Sequence, residues 1–122
     1  MNGIENGSGN ITELLHFDQN GLIPAIAQDY VTKDVLMLAY MNRESLALTI
    51  ETGKAHYFSR SRKKLWLKGE TSGNFQTVRK IFYDCEENSL LLLIEQTGVP
   101  CHTGNRTCFY RELDTENKYR YI

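Results

Sequence analysis

The chain is 122 residues long, with a formal net charge of −1, 41% hydrophobic and 24% charged residues. That is enough for one domain with a real core, and it is the balance of an ordinary globular fold, not of a disordered or fibrous chain. No apolar run is long enough to span a bilayer, and the Gly- and Asn-rich residues 1–10 have neither a basic start nor an apolar core, so no secretory signal is read there and a cytoplasmic location is expected. In a reducing compartment an odd number of cysteines, three, points to metal ligands or free thiols instead of a disulfide framework.

In chain order, residues 1–10 read as a flexible tail and 11–17 as a short helical or extended lead-in. Asp18-Gln19-Asn20-Gly21 is a turn signal. Residues 22–30 then read as a strand starting beside Pro24, with residues 35–41 as its hairpin partner across a short polar link. Asn42 is an N-cap signal, Glu44 falls in the first turn, Leu46, Leu48 and Ile50 are the apolar positions, and Gly53 stands just past the end; this predicts the one principal helix. From Ala55 the pattern is extended, and if the strand continues, His56, Phe58, Arg60 and Arg62 share one face.

Leu65-Trp66-Leu67-Lys68 leads into residues 69–74, a loop of glycines, hydroxyls and amides that includes Thr71 and Ser72 and is of the kind that binds polar ligands. Residues 77–83 alternate as a strand. Residues 89–95 are a nearly continuous apolar run expected to be a buried central strand, and 107–113 are expected to return as a last strand. The tail, 114–122, is charged and Tyr-rich.

Charge is unevenly spread. Lys54, Arg60, Arg62, Lys63, Lys64 and Lys68 follow one another with no acidic residue among them, leaving eight of the 14 basic residues to set against 15 acidic ones elsewhere. A local basic cluster in a slightly acidic chain suits a discrete anion such as a phosphate ester better than a long nucleic acid, although charge runs are often only a solvated face. Within it, Arg60, Arg62 and Lys68 are candidate phosphate holders. Trp66 is either core or a stacking platform for a base.

The cysteines carry the sharper chemistry. Cys101 and Cys108 flank His102-Thr103-Gly104-Asn105, too polar to be buried as small hydrophobes, and Cys85 sits within Asp84-Cys85-Glu86-Glu87-Asn88. Thiolates are soft ligands suited to zinc, carboxylate and amide oxygens hard ligands suited to magnesium, and three thiols leave zinc's fourth position for water. A closed structural site would need a fourth ligand, for which His102 and then His56 are the candidates. Left free, His102 can accept the proton of the bound water. Asp84, Glu86 and Asn88 alternate, so in extended geometry their oxygens converge on one side while Cys85 points to the other.

At this point the chain resembles the phosphoribosyl-AMP cyclohydrolases of histidine biosynthesis, from about Phe17 to Arg111. The resemblance rests on Gly21-Leu22-Ile23-Pro24-Ala25, Leu36-Met37-Leu38-Ala39-Tyr40-Met41-Asn42, His56-Tyr57-Phe58-Ser59-Arg60-Ser61-Arg62, Lys68-Gly69-Glu70-Thr71-Ser72-Gly73, Glu95-Gln96-Thr97-Gly98 and the whole cysteine loop. It implies a cyclohydrolase domain over 17–113 between a lead-in, 1–16, and a tail, 114–122. The implied fold is α+β, a mostly antiparallel sheet curled into a roll with one principal helix. It further implies a homodimer with metal sites near the interface, and hydrolytic opening of the adenine ring of 1-(5-phosphoribosyl)-AMP with zinc and magnesium as cofactors.

By residue match, Cys85, Cys101 and Cys108 stand at the zinc positions and Asp84, Glu86 and Asn88 at the magnesium positions. The family's usual D-C-D-x-D is here Asp84-Cys85-Glu86-Glu87-Asn88, with a longer glutamate and a neutral amide in place of two aspartates. His102 is expected in catalysis, and Arg60, Arg62, Trp66, Lys68, Thr71 and Ser72 in substrate binding. No nucleic-acid or membrane partner is expected. The competing reading is a non-enzymatic zinc module that binds RNA through the basic segment, which would need a site closed by a fourth protein ligand.

Overall fold

In the computed structural model, which describes residue 10, residues 13–116 and residues 118–119, the first strand follows directly from the Asp18 turn. Asp18 Oδ1 accepts from the backbone N–H groups of Asn20 and Leu22 at 2.8 and 3.0 Å, and Gly21 takes φ 76, a conformation that an L side chain resists. β1, Ile23–Asp29, pairs antiparallel with β2, Val35–Met41. Most of the expected lead-in, residues 1–9 and 11–12, and part of the tail, residues 117 and 120–122, lie outside the described residues.

The helix α1, Arg43–Thr52, has the expected caps: Asn42 Oδ1 accepts from Ser45 N–H at 2.8 Å, Ser45 Oγ accepts from Asn42 N–H at 2.9 Å, and Gly53 closes it at φ 76. Of the three apolar positions only Leu46 is buried, with Ser45 and Thr49 beside it on the face turned to the core, while Ile50, one turn on from Leu46, is 51% exposed. Buried Thr49 is satisfied: its Oγ1 donates to Ser45 O at 2.8 Å and accepts from His56 N–H at 2.9 Å.

β3, His56–Ser59, ends three residues before Arg62 and pairs with β4, Lys64–Leu67, around a turn at residues 60–63 where Lys63 has φ 53. Arg60 and Arg62 therefore lie on a turn and not on one face of a strand. β5, Gln76–Tyr83, and β6, Leu90–Gln96, form an antiparallel pair, and β6 runs parallel to β1, giving a four-stranded sheet in the order β2-β1-β6-β5.

One parallel pair makes the sheet mixed though mostly antiparallel, and among the described residues it is not closed into a barrel. The expected last strand is also corrected. Residues 107–112 are irregular, and only β7, Leu113–Asp114, pairs with β8, Lys118–Tyr119.

The core lies between one face of the sheet and the layer made by α1 and the β3–β4 hairpin. Ile23, Ala27, Met41, Leu92 and Ile94 from the sheet meet Leu46 and Tyr57 there, all at most 2% exposed, and Leu15 joins them at 5%. On the other face the register aligns Leu38, Ile26, Leu91 and Phe82 in one row across all four strands. Leu38 and Phe82 are 45% and 48% exposed. Among the described residues no helix is long and apolar enough to cross a membrane.

Candidate metal centre and ligand pocket

After β6, Gly98 turns the chain at φ 67, and a Cβ there would collide with the Asn74 side chain. The cysteine loop that follows is hooked onto the free edge of β2. Cys108 N–H donates to Leu36 O at 2.7 Å and Thr107 Oγ1 donates to Val35 O at 2.8 Å. Within the loop, Gly104 N–H donates to Cys101 O at 2.9 Å, and Thr103 Oγ1 lies 2.8 Å from Cys101 Sγ while accepting from Asn105 Nδ2 at 2.7 Å. Toward a Cys101 thiolate the Thr103 hydroxyl is the donor. That bond lowers the Cys101 pKa against the opposing effect of desolvation.

The two thiols are close enough to influence each other's ionisation, and they do not ionise alike. Cys108 reaches solvent at its edges, but desolvation of its sulfur, followed by the neighbouring Cys101 charge, pushes its pKa up to about 11. The pair thus favours one negative charge, carried by Cys101. Paired sulfurs of this kind suit a soft cation such as zinc, which relieves their mutual repulsion.

Lys68 borders them: its Nζ donates to Pro100 O at 2.5 Å and lies 5.6 Å from the Trp66 ring centre. Burial lowers its pKa, and the charges of Cys108 and Cys101 oppose that shift.

Beside Lys68 opens a cavity of about 200 Å³ lined by Arg62, Trp66, Lys68, Thr71 and Ser72, together with Lys64, Leu67, Gly69 and one carboxylate, Glu70, whose Oε1 accepts from Leu67 N–H at 2.9 Å. Five of the six expected substrate residues are brought together here, and Lys64 was missed although it sits in the same basic run. Arg60 is the exception. Its guanidinium stacks on the Tyr40 ring at 4.0 Å and does not line the cavity. Trp66 serves both readings, packing against the core and the Tyr57 ring, 5.3 Å away, while lining the cavity. His102 is exposed one residue beyond Cys101, whereas His56 is buried in β3 with Nδ1 bonded to Lys54 O at 2.8 Å.

The segment holding Cys85 is the acidic turn between β5 and β6, and within it the side chains do not alternate as they would in extended geometry. Asp84 Oδ1 accepts from Asn88 and Ser89 N–H at 2.8 and 3.1 Å, Glu87 N–H donates to Asp84 O at 2.9 Å, and Glu87 takes φ 60. With its nitrogen turned to the carboxylate, the Asn88 amide donates to Asp84 Oδ2 at 2.9 Å. The Asn88 backbone N–H, first among these, lowers the Asp84 pKa. Glu86 and Cys85 are exposed. As folded, the turn fits a hard cation poorly, because Asp84 already serves the backbone and Asn88 offers a donor where a ligand oxygen is needed.

Among the described residues no three His, Cys, Asp or Glu side chains converge on a metal position. The topology explains the separation. Cys85 follows β5 and Cys108 is tied to β2, the two opposite edges of the sheet. Three strand spacings amount to about 14 Å, against zinc–sulfur bonds of about 2.3 Å.

The family model described as phosphoribosyl-AMP cyclohydrolase matches residues 37–110, which includes the cavity, the acidic turn and the thiol pair. The chain is 64% identical over 100 residues to the phosphoribosyl-AMP cyclohydrolase of Archaeoglobus fulgidus, covering 82% of this chain and 93% of that one. It is 60% identical over 100 residues to the enzyme of the same name from Methanoregula boonei, covering 82% and 81%. It is also 64% identical over 104 residues to the histidine biosynthesis bifunctional protein HisIE of Caldanaerobacter subterraneus subsp. tengcongensis, covering 85% of this chain and 51% of the relative. The chain thus spans about half the length of such bifunctional relatives and most of the length of the others. The chain belongs to the phosphoribosyl-AMP cyclohydrolase family, a family of hydrolases in histidine biosynthesis.

Proposed function

We propose that the chain opens the adenine ring of 1-(5-phosphoribosyl)-AMP by hydrolysis of the N1–C6 bond, working as a homodimer in which Cys101 and Cys108 of one protomer and the partner's Cys85 hold zinc. The observation that carries this reading is the thiol pair beside a cationic cavity, inside the segment that matches the family. Zinc at the thiols supplies Lewis-acid activation of water near neutral pH.

Substitution at N1 makes the ring an electrophilic amidine. His102 takes the proton of the water that adds at C6 and returns it to N1 as the N1–C6 bond breaks. The water oxygen becomes the carbonyl of the product carboxamide, whose nitrogen is the former exocyclic amine. In the cavity Arg62, Lys64 and Lys68 neutralise phosphate, Thr71 and Ser72 donate hydroxyl protons to it, and Trp66 gives a base an aromatic face.

Asp84, Glu86 and Asn88 are the candidate magnesium residues. They bind it weakly and carry no step here. The separation of Cys85 from the thiol pair supports the shared zinc site, because in a two-fold dimer the edge carrying Cys85 in one copy can meet the edge carrying Cys108 in the other. The row Leu38, Ile26, Leu91 and Phe82 gives the second copy an apolar face to cover.

Purified protein incubated with phosphoribosyl-AMP should form product, detected by its absorbance, and a chelator should stop it. Absence of turnover in zinc-loaded protein would refute the assignment.

A further inference from the structure

Gln76 is a fully buried amide at the start of β5, where an apolar side chain would pack at less cost. Both ends of it are used. Its Oε1 accepts from Tyr57 Oη at 2.6 Å, and its Nε2 donates to Gln96 Oε1 at 2.9 Å and lies 3.2 Å from Met37 Sδ. Gln96 in turn donates through Nε2 to the carbonyls of Asn74, Phe75 and Thr97 at 3.2, 3.4 and 2.9 Å.

The direction of this relay is fixed at both ends. Burial raises the Tyr57 pKa and keeps its phenol a donor, while the three carbonyls can only accept. Neither amide can flip without leaving a buried group unpaired.

The relay ends where the two halves of the site meet. Asn74 and Phe75 close the loop that begins at Lys68 and holds Thr71 and Ser72, and Thr97 opens the segment that leads through Gly98 to Cys101. We propose that Gln96 is a positioning residue that locks the cavity loop against the cysteine loop, with Gln76 and Tyr57 fixing the orientation of its amide. This rests on the reading of the cavity as the substrate site. The backbone bond from Thr97 N–H to Phe75 O, 2.9 Å, does not depend on the side chain, so removing the amide loosens the register without unfolding the sheet.

The test is steady-state kinetics on the full zinc-loaded chain carrying Gln96→Met, which keeps the side-chain length and removes the amide. KM should rise about tenfold, with kcat within about twofold and zinc content unchanged. Tyr57→Phe, which removes the donor that orients the Gln76 amide but leaves the bonds from Gln96 to the loop carbonyls available, should raise KM less than Gln96→Met does, by about threefold. If Gln96→Met fails to fold, Gln96→Asn, which retracts the amide by one methylene, carries the same expectation. A Gln96 variant that melts earlier but keeps the wild-type KM would overturn the proposal and leave the relay a structural feature. A wild-type chain without turnover would instead refute the reading on which the proposal rests.

Discussion

The cysteine loop and the acidic turn both carry thiols in polar surroundings, yet they dispose of their polar groups in opposite ways. Besides the bonds within it, the loop donates outward to the carbonyls of Val35 and Leu36 on β2, so its position is set by the sheet edge. The turn spends its carboxylate on itself, with Asp84 holding the N–H groups of Asn88 and Ser89. A side chain already satisfied by its own backbone is a poorer ligand than its residue type suggests. One region presents a pair of sulfurs held by the sheet edge, the other is a stable turn that displays a single thiol.

The largest effect that bears on this contrast is loss of a thiol from the loop. Cys101→Ala or Cys108→Ala should remove zinc and turnover together, as read by metal analysis and product absorbance. An active zinc-free variant would show that the sulfurs have another purpose.

Next comes the cavity. Arg62→Ala should raise KM about tenfold, the magnitude of one charge-assisted hydrogen bond, while Arg60→Ala should stay near wild type because Arg60 stacks on Tyr40 outside the cavity. Equal KM changes in the two variants would erase the distinction between them.

A smaller effect is expected at Asn88→Asp, which exchanges an amide that donates to Asp84 for a second carboxylate beside it. Without magnesium the melting temperature should fall by about 3 °C, and added magnesium should restore it and act at a lower concentration than in wild type. Coincident magnesium titrations would exclude residue 88 as a ligand.

The smallest effect concerns pH. The Asp84 carboxyl is held below its ordinary value of 3.8, so its contribution to stability is present above that value and lost as pH falls through the lower folded pKa. Asp84→Asn should therefore make the loss of melting temperature between about pH 4 and pH 2 shallower than in wild type.

Much of the fold was legible in the sequence because its signals are local. Alternation marked β1 and β2, Asn42 and Gly53 marked the ends of α1, and the apolar run marked β6 as central. Thr71, Ser72, Lys68 and Trp66 were found because residues close in sequence line one cavity.

What was misread depends on backbone geometry that residue types announce weakly. Lys63 and Glu87 take positive φ without being glycine, which turns Arg62 off the strand and folds the acidic segment back on itself. The relay from Tyr57 to Gln96 was invisible because its members lie in three strands. The placement of Cys85 and Cys108 at opposite edges follows from the parallel pairing of β1 and β6, a contact between distant segments.

The central claim, a zinc site divided between chains, is tested most directly by co-refolding Cys85→Ala and Cys108→Ala chains, each inactive alone. A mixed dimer then contains one doubly damaged site and one with all three thiols. Random pairing makes about half the dimers mixed with one working site of two, so activity should return to roughly a quarter of wild type. Heterodimers that form and remain inactive would contradict the divided site.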